Sequence, residues 1–170
     1  YAEKLDVDIV SNSWGTEDVS PVIIEKINHM ATKGRDGKGI LIVFASGNDG
    51  KEVFNDESML ETVIGVGATD KDSLRAYYSN FGTGLHIVAP GGYNLGITTT
   101  NKRDDGNGEY ISAEAPVPFI GTSASTPIVS AALALLLEKN PQLTRQQVQQ
   151  RIKDSVDKIG NVEYIEGHNP

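Results

Sequence analysis

Cysteine is absent from the 170 residues, which excludes disulfides and thiolate metal sites and leaves the redox compartment unreadable from composition. Basic residues are in the minority, 15 Lys and Arg against 23 Asp and Glu, and the net charge of −8 disfavours nucleic acid, whose phosphates demand a basic face. A basic ligand is weakly favoured. No apolar run approaches the roughly 20 residues that a membrane-spanning helix needs. No charged-then-apolar leader opens the chain either, and because residue 1 reads as internal, that says nothing about secretion. No repeat or low-complexity segment appears. Histidine is scarce, three in all, which narrows the choice of any general base.

What is present suits a globular α/β piece. Hydrophobic residues make up 38% and charged residues 22%, with 18 Gly, enough for one domain of common size, or part of one, and too apolar for disorder. Strand and helix patterns alternate, which predicts a parallel sheet flanked by helices. Ser20-Pro21 makes an N-cap and first-turn pair for a helix through about Lys33, with Ile23, Ile24, Ile27 and Met30 on one face and Gly34 to Gly39 ending it. Thr62 to Ala68 and His86 to Gly91 read as further strands, the second stopped by Pro and Gly-Gly. Ile97 to Asn101 and Glu109 to Ser112 flank Asp104-Asp105-Gly106-Asn107-Gly108, a hairpin turn by its chemistry. Counting from Asp105, an EF-hand would need Gly where Tyr110 stands and Glu where Pro116 stands, so that calcium loop is rejected. The glycine pairs make no phosphate cradle, since no Lys-Ser/Thr pair opens a helix after them. Thr144-Arg145-Gln146-Gln147 forms a capping box for a last surface helix carrying Val148, Ile152 and Val156.

Three segments carry chemistry. Gly121-Thr122-Ser123-Ala124-Ser125-Thr126-Pro127 runs into the apolar stretch Ile128 to Leu137 and sets a small hydroxyl at the N-terminus of a buried helix. Unpaired N–H groups and the positive end of the macrodipole there favour a developing negative charge. This helix is apolar nearly all round and is expected to be central in its domain, with Pro127 tolerated in or near its first turn. A nucleophile elbow would need Gly two residues after the Ser, where Ser125 stands, so the α/β-hydrolase arrangement is disfavoured. Ile40 to Asn48 reads as a buried strand ending in a Gly-bearing turn that presents Asn48 at the crevice beyond the strand's carboxyl end. Val7 to Gly15 is a strand followed by Ser13-Trp14-Gly15. Taken singly, a helix-start Ser is commonly an N-cap, an Asn after Gly a turn residue, and a lone Trp core.

Together, in this order, the three segments resemble the subtilisin-like serine proteases. GTSASTP is similar to that family's G-T-S-x-[AS]-x-P nucleophile segment, and the Ala-Ser pair after the nucleophile resembles the kexin and furin branch. The resemblance covers Val7 to about Ile152. It implies that Ser123 is the nucleophile, that Asn48 of Ala45-Ser46-Gly47-Asn48 supplies the oxyanion-hole amide, and that Ser13, Trp14 and Gly15 pair with substrate backbone by strand addition. Ala45, Ser46 and Gly47 join them as substrate-binding residues.

The family's chain order is Asp, His, Ser. His29 lies in a helical pattern, His86 opens an apolar run and His168 follows the nucleophile; none has the family's H-G-T setting. The resemblance therefore implies that residues 1–170 are the C-terminal portion of a single subtilisin-like peptidase domain, incomplete without an Asp- and His-bearing part upstream and inactive alone. A non-catalytic peptide-binding pseudoprotease is the alternative. For specificity, Asp18 falls four residues after Trp14 as in the furin-like S-W-G-x-E-D pattern and is expected at the floor of a pocket for a basic residue. The other acidic residues after the two substrate segments, Glu17, Asp49, Glu52, Asp56 and Glu57, read equally as solvated loop charges. Asn80 stands where that branch carries an acidic calcium ligand. No metal site is expected in this chain, although structural calcium is compatible with the full-length enzyme. Polypeptides are the implied partners, with no nucleic acid or membrane. An exposed sheet edge predicts self-association, and the family implies an extracellular or cell-envelope setting.

Overall fold

The computed structural model describes residues 5–102, 108–111 and 118–160. Its centre is a four-stranded parallel sheet in sequence order, built from β1 (Ile9–Asn12), β2 (Leu41–Ala45), β3 (Val63–Thr69) and β4 (Ile87–Pro90). Every residue of β2 and β3 is buried, as strands covered on both faces must be.

The period-2 alternation of β2 divides the core. Leu41 and Val43 point to one side, with Ile64 and Val66 of β3, and pack on α2 (Thr122–Lys139) and α3 (Arg145–Ser155) through Val129, Leu133, Val148 and Ile152. Ile42 and Phe44 point to the other and pack with Val63 on α1 (Pro21–Lys33) through Ile27 and Ala31. Each of the larger side chains, the Val, Leu, Ile and Phe, contributes about 1.5–3 kcal/mol on burial. A short 3-10 turn, Glu57–Met59, leads into β3. It lies so close that a Cβ on Gly65 would come within 2.2 Å of the Ser58 carbonyl, which is why that strand position has no side chain.

The expected helix signals operate locally. Ser20 accepts from the Ile23 N–H at 3.4 Å, Pro21 opens α1 and Gly34 caps it. Both bonds of the capping box form, Gln147 N–H to Thr144 Oγ1 at 3.2 Å and Thr144 N–H to Gln147 Oε1 at 2.9 Å. Val156, expected within this last helix, is its C-cap residue and exposed. The hairpin forms as β5 (Thr99–Lys102) against β6 (Gly108–Ile111); its turn residues and Ser112 lie outside the described residues.

In α2, Pro127 is the sixth residue, just past the first turn and near it as expected. The helix packs on all four strands of the sheet, though one of its faces is exposed among the described residues. Val129, Leu133 and Leu137, spaced by four, are buried on the sheet, whereas Ile128 is 40% and Leu135 66% exposed. One unforeseen polar pin stands out: buried Arg35 donates to Asp8 Oδ1 at 2.7 Å and to the carbonyls of Gly39, Leu143 and Pro141. It fastens the approach to β1, the α1–β2 turn and the α2–α3 loop together.

Candidate active site

β2 ends at Ala45, and the chain turns through buried Ser46 and half-buried Gly47 to the exposed Asn48. Gly47 has φ +96°, and a Cβ there would come within 2.4 Å of Asn80 Nδ2, so glycine alone suits the turn. Asn80 spends both ends of its amide on that turn. Its Nδ2 donates to Ser46 O at 2.9 Å, and its Oδ1 accepts from the Asp49 and Lys51 N–H groups at 2.9 and 3.2 Å. Asn80 therefore has a structural role at the position where the kexin and furin comparison suggested a calcium ligand.

The N-cap of α2 is Gly121, which has no side chain to cap the helix. Asn48 reaches across instead. Its Oδ1 accepts from the Thr122 N–H at 2.9 Å and from Thr122 Oγ1 at 2.9 Å. Both partners being donors, the amide orientation is fixed, and Nδ2 is left for the cavity that Asn48 lines. Tyr78 steadies the same helix start: its hydroxyl accepts from the Gly121 N–H at 3.1 Å and lies 2.8 and 2.6 Å from the Gly91 and Gly92 carbonyls.

Ser123 is the second residue of α2 and half-buried. Four residues later Pro127 has no N–H to offer the Ser123 carbonyl, and its ring crowds it. Ser13 supplies the donor, Oγ to Ser123 O at 2.9 Å, while Ser123 Oγ donates to Ser13 O at 3.3 Å. Ser13, Trp14 and Gly15 continue past the end of β1 without a strand partner among the described residues. Trp14 is 53% exposed and meets Phe44 edge-on at 5.1 Å.

A cavity of about 570 Å³ brings together Ser13, Trp14, Gly15, Ala45, Ser46, Gly47, Asn48 and Ser123. Asp18 does not line it; this residue is exposed and accepts a hydrogen bond from Asn55 Nδ2. The acidic lining consists of Glu17, Asp49, Glu52 and Asp56, against Lys51. Lys51 lies 3.0 Å from Glu17 and 3.8 Å from Asp49, and the Glu17 hydrogen bond, helped by both carboxylates, raises its pKa. Asp56 is buried rather than solvated, and burial raises its carboxyl pKa against the opposing hydrogen bonds from Ser58. Glu57 is fully buried, again unlike a solvated loop charge.

Neither described histidine lines this cavity. His29 is exposed on α1. His86 accepts from the Gly65 N–H at 3.4 Å, and burial, with Lys153 and Arg145 nearby, lowers its pKa to about 4. His168 lies outside the described residues.

A serine on a helix N-terminus, an oriented carboxamide and a free strand end sharing one cleft define a site type, and the subtilase family profile matches residues 1–168. The chain belongs to the subtilase family. Among similar proteins, a calcium-dependent protease of Trichormus variabilis is 30% identical over 210 residues, covering 100% of this chain and 30% of that protein. Alkaline elastase YaB of a Bacillus species is 33% identical over 161 residues, covering 95% of this chain and 38% of that protein. Subtilisin BL of Lederbergia lenta is 30% identical over 161 residues, covering 95% and 53%. This subtilase thus spans between about a third and a half of the length of such relatives. Among solved structures, a protease from Pseudoalteromonas arctica superposes with a TM-score of 0.74 at 24% identity, over 89% of this chain and 45% of that one. A cold-adapted subtilisin-like serine proteinase gives 0.63 at 24%, over 84% and 46%. The fold is subtilisin-like α/β.

Sequence reasoning missed Thr122 as the anchor of Asn48, Tyr78 and Glu57. Thr122 lies inside the motif and could have been singled out; Tyr78 and Glu57 belong to no motif, and only their burial marks them.

Proposed function

We propose that this chain is the C-terminal portion of a subtilisin-like serine endopeptidase domain in which Ser123 Oγ attacks the scissile carbonyl. The Asn48 Nδ2 and the Ser123 N–H hold the oxyanion, and Ser13 to Gly15 align the substrate backbone. The His that takes the Ser123 proton and the Asp that orients it belong, on this reading, to sequence upstream of residue 1. The observation that carries the proposal is the Asn48 amide, locked through Oδ1 onto Thr122 with its donor end left for the cleft shared with Ser123. Capping α2 accounts for Oδ1 alone; the reading rests on the Nδ2 that this cap leaves to the cleft.

A fluorophosphonate probe tests this division of roles. The parent protein carrying its upstream residues is expected to label stoichiometrically at Ser123, and the isolated chain is not. Rapid labelling of the isolated chain would overturn the requirement for an upstream base. A parent protein that resists the probe would overturn the nucleophile assignment.

The proposed preference is for a basic residue before the scissile bond, as in the kexin and furin branch. Asp18 is not the basis for it, since it lies outside the cavity lining; the support is the excess of carboxylates, Glu52 and Asp56 foremost, that Lys51 does not neutralise. Profiling the parent protein on a peptide library decides this, and indifference to Arg and Lys ends the idea. The names of two relatives include calcium dependence, but among the described residues no three carboxylate or imidazole groups converge as a metal site, and no step here involves a metal. An extracellular or cell-envelope setting belongs to the same proposal. Among the described residues, no helix is long and apolar enough to cross a membrane.

A further inference from the structure

Two chain segments form facing walls of the cleft, residues 13–17 after β1 and residues 51–56 before the 3-10 turn. Behind them, outside the lining, sits the Glu57 side chain, 0% exposed. Among the described residues its carboxylate has one hydrogen-bond partner, Thr16. Oε2 accepts from the Thr16 N–H at 2.8 Å and Oε1 from Thr16 Oγ1 at 2.9 Å. A buried carboxylate is costly unless its oxygens are hydrogen-bonded, so the pairing resists being pulled apart. Among the described residues, the other hydrogen bonds at these walls are Lys51 to Glu17 and Asn55 to Asp18, both exposed, and, just past them, the buried Val19 N–H to Asn55 O at 3.2 Å. Gly15 belongs to the same contact, since a Cβ there would lie 3.5 Å from Glu57 Oε2.

We infer that Glu57, by clamping Thr16, sets the separation of the two cleft walls and is a specificity-determining positioning residue for the side chain that precedes the scissile bond. Glu57 does not touch substrate. It holds the Trp14-Gly15-Thr16 wall against the Asn55-Asp56 wall, so that side chains of the wrong width or length are rejected by fixed walls. The inference rests on the protease reading above.

The test compares Glu57→Leu, Glu57→Gln and Thr16→Val in the parent protein on peptides differing only at that position, carrying Ala, Leu, Phe or Lys. Gln can present Oε1 to the Thr16 N–H and Nε2 to the Thr16 hydroxyl, so it is expected to keep discrimination within about twofold. Glu57→Leu removes both bonds and is expected to flatten the kcat/KM ratio between best and worst peptides about tenfold, mainly through KM. Thr16→Val removes one bond, leaving Glu57 Oε1 without its partner but keeping the Thr16 N–H bond, and, in protein shown to be folded by its denaturation midpoint, is expected to give an intermediate flattening. Fluorophosphonate labelling of Ser123 should stay unchanged in the two Glu57 variants. Unaltered selectivity in Thr16→Val and in a folded Glu57→Leu would overturn the clamp while leaving the protease reading intact. Failure of the unsubstituted parent to label would overturn both.

Discussion

Ser13 and Ser123, 110 residues apart in sequence, are joined by two reciprocal hydrogen bonds, Ser13 Oγ to Ser123 O at 2.9 Å and Ser123 Oγ to Ser13 O at 3.3 Å. The first bond exists because Pro127 leaves the Ser123 carbonyl without its helical donor. The segment proposed to receive substrate thus also sets the position of the residue proposed to attack it.

A double-mutant cycle tests that dependence. Ser13→Ala alone is expected to lower kcat of the parent protease about three- to tenfold, corresponding to the roughly 1 kcal/mol of a lost hydrogen bond. Pro127→Ala restores an N–H within reach of the same carbonyl, so Ser13→Ala should cost less in that background, with a coupling energy of about 0.5–1 kcal/mol. Strict additivity of the two substitutions would show that they act independently.

Asn48→Asp keeps an oxygen for the Thr122 N–H and hydroxyl but replaces the donor facing the cleft with a second oxygen. kcat is expected to fall at least about 10²–10³-fold, the magnitude known for removing such a donor from subtilisin, with KM little changed. Steady-state kinetics on one good peptide decides; a loss confined to KM would assign Asn48 to substrate binding instead.

His86 makes stability pH-dependent. Its pKa is lowered from 6.5 to about 4 by burial and by the Lys153 and Arg145 charges, so the unfolded chain binds the extra proton between those values and the folded chain does not. The contribution is complete above about pH 6.5, declines as pH falls toward 4, and is lost below it. The loss amounts to at most about 3 kcal/mol. Urea unfolding at pH 7.5 and 4.5 should show the decline, and His86→Gln, which can still accept from the Gly65 N–H, should flatten it.

Tyr78→Phe removes the hydroxyl that links the Gly91-Gly92 turn to the α2 N-terminus. Unfolding stability is expected to drop by about 1–3 kcal/mol, the cost of leaving buried polar groups short of a partner. Denaturant titration of the chain measures this, and a change below about 0.5 kcal/mol would show that the Gly121 N–H to Gly91 O bond of 2.8 Å suffices alone.

Much of this was legible in the residues themselves, because the relevant physics is local. Alternation with full apolarity marks β2 and β3; Ser20-Pro21 and Thr144-x-x-Gln147 mark helix starts through bonds that span three residues; GTSASTP and Gly47-Asn48 mark the two chain ends that meet. Such signals survive in one dimension. The specificity acid did not, since whether a carboxylate faces a cavity depends on how loops from different strands close on each other. The motif pattern favours Asp18 over Asp56, yet the fold leaves Asp18 exposed against Asn55 and buries Asp56 in the cleft lining. The burial of α2 is similar: apolarity all round is a property of its sequence, but which stripe is covered is decided by the sheet beneath it. The sequence by itself determined the strands, the caps and the family motifs. Only the tertiary structure decided which side chains 30 to 110 positions apart share donors and acceptors, because a hydrogen bond is satisfied by distance in space and leaves no periodicity in the chain.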